Sequence, residues 1–157
     1  MLKAGDAAPE FELLDQHDKT WKLSDLRGQK VILYFYPVDD TPGCTRESCD
    51  FRDAHTDFDN AGYLILGISS QGAESHRAFA EKYNLDFPLL IDEDIKVATA
   101  YETLAPEGLD WDGIPIRVIR STFVIDENGD IERAEYGVSS KGHVDSLRET
   151  LSVGSDT

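Results

Sequence analysis

The sequence has few cysteines and no long apolar run. Its 157 residues contain two cysteines, too few for a disulfide framework. No window approaches the roughly 18 apolar residues of a membrane-spanning helix, and the first residues lack the apolar core of a secretory signal. We therefore expect a cytoplasmic protein that has no membrane partner.

Basic residues are also scarce. The chain has 31 acidic residues against 15 basic ones, for a net charge of −16. A surface of this sign repels the phosphates of DNA and RNA. We therefore expect no nucleic-acid partner.

The hydrophobic pattern predicts an α/β fold in one domain, residues 1–157, with a mixed central sheet flanked by helices. Two continuous apolar runs predict buried parallel strands, and an Asn-Gly turn at 128–129 predicts an antiparallel hairpin near the C-terminus. Residues 102–116 are expected to form a loop. The predicted strands are 11–14 and 20–23, which form an N-terminal hairpin, 31–36, 63–68, 87–91 at an edge, 121–125 and 131–136. The predicted helices are 42–58, 74–84, 95–101 and 143–153.

The stretch between the first long strand and the next helix carries the chemistry. Thr41 precedes a proline and suits the N-cap position, Pro42 suits the first helical position, and Cys44 lies in the first turn. Unpaired N–H groups and the positive end of the helix dipole favour a thiolate there, and the thiolate is the reactive form. The sequence therefore predicts a nucleophilic cysteine at position 44.

A second cysteine, Cys49, lies five residues further along the same predicted helix. Residues so spaced have Cα atoms roughly 8–9 Å apart, whereas a disulfide spans about 4.4–6.8 Å. The two sulfurs can therefore bond only if the helix unwinds locally. Such a bond is a redox switch rather than a structural bridge.

These residues resemble the peroxiredoxins, in particular their Q-type or bacterioferritin comigratory protein subfamily. Pro37, Thr41 and Cys44 match the family pattern Pro-x-x-x-Thr-x-x-Cys, and Cys49 matches the subfamily's resolving cysteine. The resemblance covers nearly the whole chain. It implies a thioredoxin-like fold.

The resemblance implies a thiol-dependent peroxidase for hydrogen peroxide and organic hydroperoxides. Cys44 would become a sulfenic acid, Cys49 would condense with it into an intramolecular disulfide, and a thioredoxin-like or glutaredoxin-like reductant would restore both thiols. The cycle requires no metal, haem or flavin cofactor. We expect a monomer, with a dimer as the alternative.

The resemblance also assigns the supporting residues. Arg120 matches the family's active-site arginine, which stabilises charge on the departing oxygen. The Thr41 hydroxyl is expected to accept from and donate to the peroxide, and the N–H of Gly43 adds a donor. Glu47 is expected to fix the arginine, and Pro37 to shield the thiolate.

Plainer interpretations remain open at this stage. Arg117 competes with Arg120 for the role of active-site arginine, Glu47 is also explained as a first-turn acid, and Pro37 as a strand terminator. Asp39 and Asp40 are expected to face solvent. The four histidines are expected to be surface or cap residues, namely His17, His55, His76 and His143.

Other functions were weighed against the peroxidase. The alternative is a thiol redox-sensing or disulfide-exchange module that uses the same cysteine. A thioredoxin-like oxidoreductase is disfavoured because the sequence has no Cys-x-x-Cys. A metal-binding module is disfavoured because two sulfurs five residues apart in one helix do not chelate a metal.

Overall fold

The centre of the protein, in a computed structural model that describes residues 1–153, is a five-stranded sheet with the order β5-β4-β3-β8-β9. The last four residues of the predicted domain, 154–157, lie outside the described part. The strands are β1 (Glu12–Leu14), β2 (Thr20–Lys22), β3 (Lys30–Phe35), β4 (Tyr63–Ser69), β5 (Leu89–Ile91), β6 (Asp110–Trp111), β7 (Ile114–Pro115), β8 (Ser121–Ile125) and β9 (Ile131–Tyr136). The helices are α1 (Pro42–Asn60), α2 (Ala73–Tyr83), α3 (Lys96–Ala100) and α4 (His143–Thr150), with a 3-10 turn at Leu23–Leu26.

The strand directions make the sheet mixed. β3 is parallel to β4, β4 is parallel to β5, and β8 is antiparallel to both β3 and β9. β1 and β2 form a separate antiparallel hairpin. The predicted α/β fold with a mixed sheet and an N-terminal hairpin is therefore confirmed, including the edge position of the proline-flanked strand β5.

Alternating side chains of β3 divide the core into two layers. Ile32, Tyr34 and Tyr36 belong to a cluster that includes residues of α1, α2 and α4. Val31, Leu33 and Phe35 belong to a cluster on the opposite face that includes residues of α3 and the N-terminal segment. Because both faces are covered, β3 is apolar and buried from Val31 to Phe35, as a central strand must be.

The main departure from the predicted elements lies in residues 102–116. This segment contains the short antiparallel pair β6–β7 instead of an unstructured loop. Asp112 and Gly113 both have positive φ angles, 48° and 85°, which make the tight turn between the two strands. Two-residue strands are too short to produce a recognisable alternation of side chains.

Helix ends differ from the predicted ones by a few residues, most clearly for α1, which continues to Asn60, and α4, which ends at Thr150. Within residues 1–153, no helix has the length and apolar character needed to span a membrane.

Candidate active site

The candidate site forms where β3 ends and α1 begins. Cys44 lies in the first turn of α1, and its side chain is fully buried. Thr41 occupies the N-cap position with extended backbone angles, as expected for a residue before proline. Its hydroxyl does not cap the helix; it donates a hydrogen bond of 2.9 Å to the carbonyl of Val38. The Thr41 oxygen therefore keeps its lone pairs for an incoming donor, and its proton is already engaged.

Sheet pairing brings Arg120 to the same place. β8 runs antiparallel to β3 with Ser121 opposite Phe35, so the residue before β8 lies beside the end of β3. Arg120 Nη2 lies 3.3 Å from the Cys44 sulfur. Arg117 is exposed and donates to the carbonyl of Glu93 at 3.2 Å. Of the two competing arginines, the structure brings Arg120 to the cysteine.

Glu47 lies behind the arginine, one turn of α1 beyond Cys44. Its carboxyl is fully buried, and Oε1 accepts a 2.7 Å hydrogen bond from Arg120 Nη1, while Oε2 has no partner. Burial raises the pKa of Glu47 to about 7, against the opposing effect of Arg120. Burial tends to lower the pKa of Arg120, but the charges of Glu47 and Cys44 outweigh it and the net shift is upward, so the guanidinium keeps its charge. A simple first-turn acid would be exposed, so that interpretation of Glu47 is wrong.

Cys44 and Arg120 line a cavity of about 220 Å³. Six of its lining residues lie between Pro37 and Cys44, and Trp111 and Ile116 add apolar surface from the β6–β7 region. Two larger hollows, beside α4 and between the N-terminal hairpin and α3, contain no cysteine.

Gly43 is needed for the close approach of the arginine. A Cβ atom at this position would lie 3.0 Å from Arg120 Nη2 and 3.2 Å from the Ser140 hydroxyl. Both distances are shorter than ordinary van der Waals contact, and the guanidinium is already held by Glu47. Any larger residue at position 43 would therefore push the arginine away from the sulfur.

Cys49 has a different environment on the same helix. It is partly exposed, and both cysteines are free thiols. Burial raises the pKa of Cys49; Arg52 lowers it, and the neighbouring Asp53 and Asp50 raise it further. The Cys49 thiol therefore keeps its proton more firmly than an ordinary cysteine.

The expectation that Asp39 faces solvent is wrong. Its side chain is buried and accepts hydrogen bonds from Tyr36, Ser75 and His76. Asp40 is exposed, as expected, and accepts from Lys82 and Tyr83.

Two histidines expected at the surface are buried. His76 is fully enclosed, and His143, the first residue of α4, has its Nε2 at 2.8 Å from the hydroxyl of Thr122 in β8. Burial lowers the pKa of His143. A signal for His76 was present in the sequence, because it precedes the buried Phe79 by three residues, on the same face of α2.

The arrangement of potential ligand side chains bears on whether the protein could bind a metal ion. Within residues 1–153, no three His, Cys, Asp or Glu side chains lie close enough together to hold a metal ion.

Comparison with known proteins places the chain among sequences of one family. Residues 4–134 match the AhpC/TSA family. The chain is 45% identical over 152 residues to a putative peroxiredoxin of Mycobacterium tuberculosis, and the match covers 97% of this chain and 96% of that protein. It is 42% identical over 153 residues to peroxiredoxin Bcp of Bacillus subtilis, with 96% of this chain and 95% of that protein covered. A solved structure of Xanthomonas campestris bacterioferritin comigratory protein, described for its alkyl peroxide reduction activity, superposes with a TM-score of 0.85 at 30% identity, covering 95% of this chain and 97% of that one.

Proposed function

Because the chain belongs to the AhpC/TSA family and is similar over nearly its whole length to peroxiredoxins of the Bcp type, we propose that it is a thiol-dependent peroxidase whose nucleophile is Cys44. The observation that carries this assignment is the guanidinium of Arg120 at 3.3 Å from the Cys44 sulfur, beside a cavity large enough for a small peroxide.

The first step is attack of the Cys44 thiolate on one peroxide oxygen. A sulfur–oxygen bond forms as the oxygen–oxygen bond breaks, and the second oxygen leaves with the electron pair as hydroxide or alkoxide. Solvent returns to it the proton that the thiol released on ionising, which gives water or an alcohol. Arg120 supplies fixed positive charge and N–H donors where the negative charge develops. Cys44 is left as a sulfenic acid.

The residues around the sulfur hold the peroxide and the arginine. The Thr41 hydroxyl donates to the Val38 carbonyl, so it receives the peroxide O–H as an acceptor. Gly43 leaves room for Arg120, and Glu47 fixes the direction of the guanidinium through its 2.7 Å bond. Pro37 lines the cavity and limits the access of water to the thiolate.

The second step joins the two cysteines. The sulfenic acid of Cys44 condenses with the thiol of Cys49, forming a disulfide and releasing water. Because an intact helix holds residues five apart beyond disulfide distance, the first turns of α1 must unwind for this step. A thioredoxin-like or glutaredoxin-like dithiol then reduces the disulfide through a mixed disulfide.

Hydrogen peroxide and organic hydroperoxides are the proposed substrates. The apolar side chains of Trp111 and Ile116 at the cavity support acceptance of an alkyl group, as does the described activity of the similar Xanthomonas protein. We place the reaction in the cytoplasm, because its cycle depends on a supply of reduced dithiol. Every group of the proposed cycle belongs to one chain, so a monomer suffices.

The test is peroxide consumption with a thioredoxin and thioredoxin reductase pair as the electron donor. Wild type should turn over continuously, and Cys44→Ser should show no peroxide consumption above background. Cys49→Ser should react once and then stop, because its sulfenic acid has no internal partner. Peroxidase activity retained by Cys44→Ser, or disulfide exchange in wild type without peroxide consumption, would contradict the proposal and favour the disulfide-exchange alternative.

A further inference from the structure

The loop between β3 and α1 is fastened to α2 by polar contacts that the proposed reaction does not use. Asp39 and Asp40 supply the contacts from the loop, and Ser75, His76, Lys82 and Tyr83 supply them from α2. We call these six residues the α2 clamp.

Asp39 is the buried centre of the clamp. One carboxylate oxygen accepts from the Tyr36 hydroxyl at 2.5 Å, and the other accepts from Ser75 Oγ at 2.8 Å and from His76 Nδ1 at 2.6 Å. Burial raises the pKa of Tyr36 well above its usual range, so the phenol keeps its proton and remains a donor. The backbone N–H of Asp39 donates to the Gln71 side chain at 2.9 Å. Together these contacts hold the loop backbone at Asp39 in place.

His76 connects the clamp to the neighbouring strand β5. Its Nδ1 faces the Asp39 carboxylate, and its Nε2 lies 2.9 Å from the carbonyl oxygen of Leu90. Both ring nitrogens therefore have a buried hydrogen-bond partner, one on the loop and one on β5. Breaking the Asp39–His76 contact from one side is costly, because it leaves a buried polar group without its partner.

Asp40 adds backbone strain to the same loop. Its φ angle is 60°, in the left-handed region that costs a residue with a Cβ free energy. Its carboxylate accepts from Lys82 at 2.8 Å and from Tyr83 at 2.6 Å, and both partners lie at the end of α2. These bonds help to maintain a conformation that the loop would leave if it were free.

The clamped loop is continuous with the turn of helix that carries Cys44. The Thr41 carbonyl accepts the first bond of the helix, from the N–H of Thr45 at 2.8 Å. The Thr41 hydroxyl is bonded back to Val38. Loop and first turn are therefore one hydrogen-bonded unit, and the residues that must unwind for the disulfide are fastened to α2 through Asp39 and Asp40.

We propose that the α2 clamp, with Asp39 and His76 as its positioning residues, sets how readily the first turn of α1 unwinds. A closed clamp keeps Cys44 beside Arg120, ready for peroxide; an open clamp lets Cys44 reach Cys49. The inference rests on the proposed function and adds to it the group of residues that governs the second step.

The clamp also determines the fate of the sulfenic acid. While the first turn stays wound, Cys44 cannot condense with Cys49, and a second peroxide molecule can oxidise it to the sulfinic acid, with loss of water or an alcohol. Weakening the clamp should therefore slow the formation of the sulfenic acid, speed the formation of the disulfide and lower the yield of sulfinic acid. A purely structural hydrogen-bond cluster would change stability without changing the rates of these steps in opposite directions.

The experiment measures the steps separately by rapid quench and mass spectrometry. Disulfide formation and sulfinic acid yield are followed in chains that retain Cys49, and sulfenic acid formation in the Cys49→Ser background. The variants are Ser75→Ala, which removes one donor, His76→Gln, and the neutral pair Asp39→Asn with His76→Gln. Glu81→Gln, an exposed change on α2 outside the clamp, is the matched control.

Loss of a hydrogen bond to a charged group corresponds to a factor of about ten in an equilibrium constant. His76→Gln should therefore form the disulfide about tenfold faster and yield less sulfinic acid at high peroxide. Ser75→Ala should show a smaller increase in the rate of disulfide formation and a smaller decrease in sulfinic acid yield. It provides the test if His76→Gln does not fold. Glu81→Gln should match wild type.

Disulfide formation that is unchanged or slower in the clamp variants, with normal sulfenic acid formation in the Cys49→Ser protein, would overturn this inference alone. Failure of the Cys49→Ser protein to form any sulfenic acid would overturn the proposed function as well.

Discussion

The two cysteines of α1 are five residues apart and lie in opposite electrostatic environments. Cys44 is buried in the first turn, with the guanidinium of Arg120 at 3.3 Å from its sulfur. Cys49 lies one and a half turns further, partly exposed, beside Asp50 and Asp53, with its pKa raised. The field of the helix end is felt mainly within the first turn, so it acts on Cys44 more strongly than on Cys49.

Because of this difference, the two cysteines suit different steps of the proposed cycle. Attack on peroxide requires a cation to receive the departing oxygen, and Arg120 lies in position for this beside Cys44. Condensation with a sulfenic acid requires a thiol that has not reacted with peroxide first, and the protonated state of Cys49 provides it. The predictions below remove the features that distinguish the two sites.

The largest effect is expected from removing the cation at Cys44. Arg120→Met should lower the rate of the peroxide step by about a hundredfold or more, as loss of a preorganised charge donor does in other enzymes. Stopped-flow measurement of the single-turnover rate checks it, with Arg117→Met as the matched control. A larger loss of rate in Arg117→Met than in Arg120→Met would show that Arg117, and not Arg120, is the active-site arginine. The double variant Arg120→Met with Glu47→Gln avoids an unpaired buried carboxyl.

The second effect concerns the carboxyl behind Arg120. Burial raises the pKa of Glu47 to about 7 from an ordinary value of 4.5, so the unfolded chain loses this proton at lower pH than the folded one. Between these values the folded state binds more protons, and the free energy of unfolding falls as pH rises, by at most about 3 kcal/mol. Glu47→Gln should lack this fall.

Urea unfolding of wild type and Glu47→Gln at intervals from pH 4 to pH 9 provides the measurement. The difference between the two curves should change between about pH 4.5 and 7 and be level above that range. Parallel curves across the whole range would contradict this prediction, because they would mean that Arg120 cancels the effect of burial and leaves the pKa of Glu47 the same in both states.

A smaller effect is expected at Gly43. Gly43→Ala would place a Cβ 3.0 Å from Arg120 Nη2 and displace the guanidinium by a few tenths of an ångström. We expect roughly a tenfold slower peroxide step with little change in stability, because alanine favours a helix more than glycine does. Single-turnover kinetics and thermal unfolding of the same preparation check both parts. An unchanged rate would show that Arg120 tolerates the shift.

The smallest effect is expected at Cys49. Asp53→Asn removes one of the charges that raise the Cys49 pKa and frees Arg52 from its 2.9 Å ion pair. In a Cys44→Ser background the rate of alkylation of Cys49 near neutral pH should rise about two- to threefold, as expected for an exposed charge. Asp59→Asn, further along α1, should leave the rate unchanged. An equal effect of both variants would point to net charge rather than to the local environment.

The features that sequence patterns predicted well are those determined by neighbouring residues. The position of Thr41 at the helix start follows from Pro42, and the buried strand β3 follows from its apolar run. The structure also brings Arg120 to within 3.3 Å of the Cys44 sulfur, a contact between residues 76 positions apart.

The features that were missed depend on distant parts of the chain. Asp39 is expected in solvent because a carboxylate pointing toward the cysteine would raise the pKa of the thiol, yet it is buried against Ser75 and His76, more than thirty residues away. No local pattern identifies such a partner. The strands β6 and β7 were missed because they have two residues each.

The most direct test of the account is mass spectrometry of the reduced protein before and after one equivalent of hydrogen peroxide, with alkylation of free thiols. The account predicts that wild type loses the mass of two hydrogen atoms and resists alkylation at both cysteines. It also predicts that the Cys49→Ser variant gains one oxygen atom, located on the peptide that contains Cys44. An oxygen found first on Cys49 in wild type, or two thiols still open to alkylation, would contradict it.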